Sequence, residues 1–133
     1  MKDHLAGDAI SAILDEGFVI EAMLSFHLSL NMAENLFHVY RNIYSAYVMS
    51  LEHICSGPVI ALAISKPGSP PRAVQDFREF CGPLEPSLAK LLRPRSLRAL
   101  FGKDTVRNAV HCTDLPEDGE MESKYFFETI ANL

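Results

Sequence analysis

His111 lies in RNAVHCTDLPEDGEMESKYFF, residues 107–127, where a short apolar run gives way to an acidic, turn-forming segment. An imidazole in that setting is a candidate nucleophile if a second group fixes its tautomer and leaves the other ring nitrogen with a free lone pair. Glu122 is the candidate orienter, because a helix folding back after the DLPEDG turn would bring its carboxylate against the ring. A histidine that attacks phosphorus also needs cations around three charged oxygens, a task that suits the planar fork of arginine. The chain offers Arg78 in FREFCG, Arg93, Arg95 and Arg98 in LRPRSLR, and Arg107 ahead of Asn108, itself a donor for ribose or phosphate. Spacing alone, however, reads these cations as solvated surface groups, and His4, His27, His38 and His53 have no partner at a useful spacing.

The elements that must position these groups alternate between helix and strand. Leu5, Ile10, Ile13 and Leu14 recur at helical spacing, and Gly17 stops that helix. FVIEAMLSF (Phe18 to Phe26) reads as a strand whose alternation is broken where Ala22 and Met23 stand together. Met32 to Ile54 reads as two short helices, and VIALAIS after the SGP break as a buried strand. Asp76, Phe77 and Phe80 outline a helix that stops at Cys81-Gly82. GPLEPSLAKLLRPRS carries three prolines and reads as a structured loop rather than one regular element. A short helix at Ser96 to Phe101, a short strand at Val106 to His111 and a terminal helix from Pro116 to Ile130 complete the pattern.

Composition bounds the function. At 133 residues, 48% hydrophobic and 22% charged, the chain has the balance of one globular domain, residues 1–133, without a linker or repeat. A net charge of −5 argues against a duplex-wrapping protein, so no nucleic-acid partner is expected. No apolar run reaches the roughly 18 to 20 residues of a membrane span, and MKDHLAGDAI lacks the apolar block of a secretion signal. The expectation is a cytoplasmic chain without membrane contact. Cys55, Cys81 and Cys112 are odd in number and show no CxxC spacing, which predicts reduced thiols and no zinc site. Cys112 beside His111 on a strand would point to the opposite face.

With these residues in place, NAVHCTD resembles the nucleoside diphosphate kinase signature: asparagine, two residues, the phosphorylated histidine, glycine, serine and aspartate. The resemblance extends over HLAGDAISAILDEGF, SGPVIALAI, FREFCG and the proline loop ending in RPRSLR. FREFCGP, LRALFGK and NAVHCTDLPEDGE are most similar to the second kinase-like domain of the family's two-domain branch, which is associated with axonemes and centrosomes. The resemblance implies an α/β (α+β) ferredoxin-like sandwich, a mostly antiparallel four-stranded sheet with helices packed on it, here short of its first strand. It also implies a ping-pong enzyme that moves the terminal phosphate of ATP, carried with Mg2+, onto His111 and then onto a nucleoside diphosphate. The metal rides on the nucleotide rather than on the protein.

Carried over residue by residue, the resemblance makes His111 the covalent carrier and Glu122 its hydrogen-bonding partner. Arg78, Leu84, Arg98, Asn108 and Thr113 fall on nucleotide-binding positions, Ala46 and Tyr47 on the base-stacking position, and Phe37 beside the catalytic histidine. A homo-oligomer and a cytoskeletal or axonemal partner are implied as well. Several positions depart from the family. Leu84 replaces a phosphate-touching threonine and cannot donate a hydrogen bond, and Phe37 keeps a tyrosine's ring without its hydroxyl. Cys112 replaces a glycine, and the Pro86 to Pro94 loop, which shapes trimer contacts in hexameric relatives, is longer. The family's phosphate-binding lysine before the first helix has at best a remnant in Lys2. The alternative reading is a catalytically weak or inactive kinase-like domain acting as a cytoskeletal interaction module.

Overall fold

Two runs of strand-forming residues pair with each other. The computed structural model describes residues 5–38, 41, 47–68, 72–113 and 118–130. VIEAMLSF forms β1 (Val19–Phe26) and VIALAIS forms β2 (Val59–Ser65), antiparallel, from Val19 opposite Ser65 to Phe26 opposite Val59. A register shift between Ile20 and Ala22 absorbs Glu21, whose Oε1 accepts a hydrogen bond from Ser65 Oγ at 2.6 Å. The neighbours Ala22 and Met23 do not break the alternation: Ala22 is half-buried, while Met23 is turned outward and 60% exposed.

A two-stranded ribbon is marginal in water by itself, so its stability comes from what packs on it. Helix α1 (Leu5–Asp15) runs into β1 through Gly17, whose φ of 97° is a left-handed conformation open to glycine at little cost. Ser29 caps α2 (Leu30–Phe37) by accepting from the Met32 N–H, and α3 (Tyr47–Cys55) leads into β2. Helix α4 (Ala73–Cys81) turns Phe77, Phe80 and Cys81 inward. The Phe18 ring meets Phe77 edge-on at 5.4 Å and stacks on Phe80 at 6.1 Å. Ile13, Phe18, Cys81 and Leu97 form the buried centre, with Leu62 and Ile64 of β2 packed against it.

The proline-rich stretch contains more order than its composition suggests. Helix α5 runs from Pro86 to Leu92, because a proline in the first helical turn lacks only an N–H that would have had no partner there. It ends before Pro94, and Ser96 then caps α6 (Leu97–Phe101) by accepting from the Ala99 N–H. The turn out of α4 is held by Gly82, with φ of 81°; a Cβ built there would sit 2.5 Å from Ser96 Oγ, so only glycine fits.

The expected strand at Val106 to His111 does not form. Asp104 captures the Val106 and Arg107 N–H groups with Oδ1, at 3.0 and 2.6 Å, and Lys103 N–H donates to the Arg107 carbonyl at 2.7 Å. These local bonds use the backbone groups a ladder would need. Ala109 then breaks the extended run with a φ of 77°. Among the described residues no third strand lies beside β1 or β2, and residues 1–4, with Lys2, fall outside them. The terminal helix begins at Gly119 as α7 (Gly119–Lys124) and widens into a π-helical turn at Tyr125–Ile130; the expected start at Pro116 lies outside the described residues. No helix among the described residues is long and apolar enough to cross a membrane.

Candidate active site

Three separate elements converge on His111. The residue follows the strained turn at Ala109, a left-handed conformation that costs a non-glycine residue on the order of 1–2 kcal/mol and is retained where the surroundings enforce it. From α7, Glu122 presents Oε1 at 4.0 Å from His111 Nε2. From the end of α2, the Phe37 ring meets the imidazole edge-on at 4.9 Å between centroids. Tyr125, which gave no sequence signal, joins the second and third elements: its hydroxyl donates to the Met32 carbonyl of α2 at 3.2 Å, and its ring abuts Phe126. Phe126 in turn packs on Phe26 of β1, so the segment bearing Glu122 is fixed both to α2 and to the sheet.

Arg98 supplies the positive charge behind the ring. Only 8% exposed, it donates from Nη1 to the Gly82 carbonyl at 2.8 Å and from Nη2 to the Val110 carbonyl at 3.0 Å. One guanidinium thus ties the turn after α4 to the residue preceding His111. Its Nε–H is buried and meets no acceptor among the described residues. Arg78, exposed on α4, acts together with Arg98 on the Cys112 thiol, so both cations reach the same neighbourhood.

Enclosure by packed atoms and, second, the charge of Arg98 push the His111 pKa down from its ordinary 6.5 to about 4. The side chain is still 33% exposed, and water at that open edge offsets part of the enclosure. The ring is neutral near pH 7, as a nucleophile must be. Its effect on stability has a defined sign. Above 6.5 neither the folded nor the unfolded chain protonates the ring; as pH falls from 6.5 toward 4, only the unfolded chain takes up the proton, and stability is lost. Urea midpoints measured near pH 7.5 and again near pH 5 should therefore fall further in the natural protein than in His111→Gln, by about the equivalent of a fraction of a kcal/mol to 2 kcal/mol. Equal falls would show that the ring is open to solvent in the folded state.

The other sequence-derived positions are distributed more loosely. Asn108 donates from Nδ2 to the Thr105 carbonyl at 3.2 Å, and Thr113 follows His111 in the same irregular segment. Leu84 is 40% exposed in the turn between α4 and α5, and Tyr47 opens α3 half-buried. Among the described residues no hydrogen bond or ring contact joins either to His111, and Ala46 lies outside them. Asp104 holds Arg107 in a two-pronged pair at 2.9 and 2.6 Å, and that guanidinium with two backbone N–H groups lowers the Asp104 pKa to about 2. Arg107 is thereby committed to its own turn. No group of three His, Cys, Asp or Glu residues is placed to hold a metal ion among the described residues.

A family model described as nucleoside diphosphate kinase matches residues 1–131. The chain is 42% identical over 132 residues to nucleoside diphosphate kinase homolog 7 of Mus musculus, covering 99% of this chain and 32% of that protein. It therefore spans about a third of the mouse relative's length. To the nucleoside diphosphate kinase of Aquifex aeolicus it is 30% identical over 127 residues, covering 96% of this chain and 86% of that one. A crystal structure of the Aquifex aeolicus nucleoside diphosphate kinase superposes with a TM-score of 0.86 at 31% identity, over 96% of this chain and 86% of that chain. The ferredoxin-type α/β fold expected from the resemblance is thus present, with two antiparallel strands and the helices packed on them. A match along nearly the whole chain, in sequence and in backbone, places this protein in the nucleoside diphosphate kinase family.

Proposed function

We propose that the protein transfers the terminal phosphate of a nucleoside triphosphate to a nucleoside diphosphate through a phosphohistidine at His111. The observation that carries this reading is a partly open imidazole with Nε2 facing Glu122, beside a buried arginine that holds the preceding residue; the lowered pKa of the ring accords with it. A proton held on Nε2 by the carboxylate leaves the Nδ1 lone pair as the nucleophile. A separation of 4.0 Å is longer than a hydrogen bond, and such contacts tighten when substrate arrives.

Nδ1 attacks the γ-phosphorus, the bond from phosphorus to the bridging oxygen breaks, and the nucleoside diphosphate leaves with that electron pair. A terminal oxygen of a second nucleoside diphosphate then attacks the phosphohistidine and regenerates the ring. Such a transfer asks for positioning and for neutralisation of charge spreading over three oxygens. Arg78 and the unused N–H of Arg98 would supply cations, Asn108 and Thr113 polar contacts to ribose and phosphate, and Tyr47 with Ala46 a face for the base. Phe37 steadies the ring, and Leu84 contributes shape only. Mg2+ arrives on the triphosphate as part of the substrate. The reading takes residues 1–133 as one kinase-like domain in a cytoplasmic chain, and the family supports a homo-oligomer.

Purified protein given γ-labelled ATP with Mg2+ should form an acid-labile, alkali-stable phosphoprotein. Its label should discharge onto added GDP or CDP, and phosphorus NMR should place it on Nδ1. Glu122→Gln should slow phosphate uptake by about 10- to 100-fold while leaving nucleotide affinity nearly unchanged. Equal losses in rate and affinity would make Glu122 a structural residue instead.

A second reading has specific support. Leu84 lacks the donor and Phe37 the hydroxyl that the family resemblance leads one to expect, which favours a catalytically weak or inactive domain that keeps the fold, for which the role would be that of a cytoskeletal or axonemal interaction module. Nucleotide binding without any phosphoprotein would decide for it.

A further inference from the structure

Cys81 ends α4 and is fully buried in the central cluster, whereas Cys112 follows His111 and packs, half-buried, against that cluster. They come from distant parts of the chain, but Cys112 packs against the cluster that contains Cys81, and Arg98, donating to the Gly82 and Val110 carbonyls, holds the two segments side by side. Neither role proposed above uses them. Cys55 sits apart on α3.

We propose that Cys81 and Cys112 form a thiol redox site that hydrogen peroxide closes into a disulfide, tying the residue after His111 to the end of α4. Their chemistry divides the roles. The hydrogen bond from Cys81, followed by the charges of Arg98 and Arg78, lowers the Cys112 pKa to about 7, so Cys112 is the reactive thiolate. Cys81 stays protonated, its pKa raised by the bond to Cys112 and by burial. Cys55 is less reactive because burial raises its pKa as well.

The Cys112 thiolate attacks one peroxide oxygen and the O–O bond breaks; with one proton from solvent, water leaves and Cys112 becomes a sulfenic acid. The Cys81 sulfur then attacks the Cys112 sulfur, the S–O bond breaks, and the Cys81 proton leaves with the hydroxyl as a second water. Two thiols are oxidised and one peroxide is reduced to two waters. A dithiol reductant reverses the bond.

The test treats the folded protein with a small excess of hydrogen peroxide, quenches with acid, alkylates under denaturing conditions and maps peptides without reduction. A linked pair containing Cys81 and Cys112, reversible by dithiothreitol, is expected, with Cys112 consumed about tenfold or more faster than Cys55. In Cys81→Ala, dimedone should trap the Cys112 sulfenic acid; if that variant fails to fold, Cys81→Ser replaces it. Cys112 oxidised to sulfinic acid without a linked peptide, or Cys55 reacting as fast, overturns the proposal. The regulatory consequence rests on the phosphotransfer reading: oxidised protein should take up severalfold less phosphate, restored by reduction. Uptake unchanged after closure overturns that coupling and leaves the mapped bond standing. Absence of uptake in the reduced protein counts against phosphotransfer and not against the disulfide.

Discussion

His111→Ala is expected to abolish phosphate uptake from ATP, lowering it by at least about 10³-fold, because the ring nitrogen that takes up the phosphate is gone. That factor corresponds to at least about 4 kcal/mol of lost transition-state stabilisation. The cost to folding should be much smaller. A third of the side chain is exposed, and the substitution removes its edge-on pairing with Phe37, worth about 0.5–1.5 kcal/mol in comparable aromatic pairs. The two magnitudes separate chemistry from structure: circular dichroism and urea unfolding should show a folded variant while the phosphoprotein disappears. Undiminished labelling in His111→Ala would move the phosphate to another residue and end the phosphohistidine reading.

Arg98→Ala should have the largest effect on stability, lowering the unfolding free energy by about 3–5 kcal/mol. Its guanidinium makes charge-assisted bonds to two carbonyls, each worth about 1.5–3 kcal/mol, and its removal leaves the half-buried Gly82 and Val110 carbonyls without these donors. Against a typical total of about 5–15 kcal/mol, this is a large fraction of what holds a domain folded. Arg98→Lys should be milder, because an ammonium keeps the charge but has no planar fork to bridge two carbonyls that lie on different segments. Urea unfolding of the two variants beside the natural protein measures the difference. Equal stability in all three would show that the bridge contributes nothing and that Arg98 serves only a ligand. Where Arg98→Lys remains folded, its phosphate uptake reports on the second role, since the bridge also sets the position of the residue before His111.

Local patterns in the chain indicated much of the architecture. The two strands, the helices around them and the glycine stops at Gly17 and Gly82 follow from periodicity and from backbone conformations that favour glycine. The proline-rich stretch was harder to read, because a proline forbidden inside a helix is acceptable at its first turn, and three prolines do not reveal which of them opens one. The failure at Val106 to His111 has another origin. A strand is made by its neighbour, and no run of apolar residues states whether a partner backbone lies alongside; there Asp104 and the Ala109 turn took the backbone groups instead.

The same distinction holds at the site. Residue types and motif order singled out His111, Glu122 and the arginines, because the ability to carry or bind a phosphate belongs to the side chain wherever it sits. Tertiary structure alone decided that Tyr125 would fix the Glu122 segment to α2 and that Arg98 would commit two of its donors to carbonyls from distant turns. It also brought Cys81 beside Cys112. Those outcomes depend on distances between segments remote in sequence, and such distances are set by how the whole core packs rather than by any local pattern.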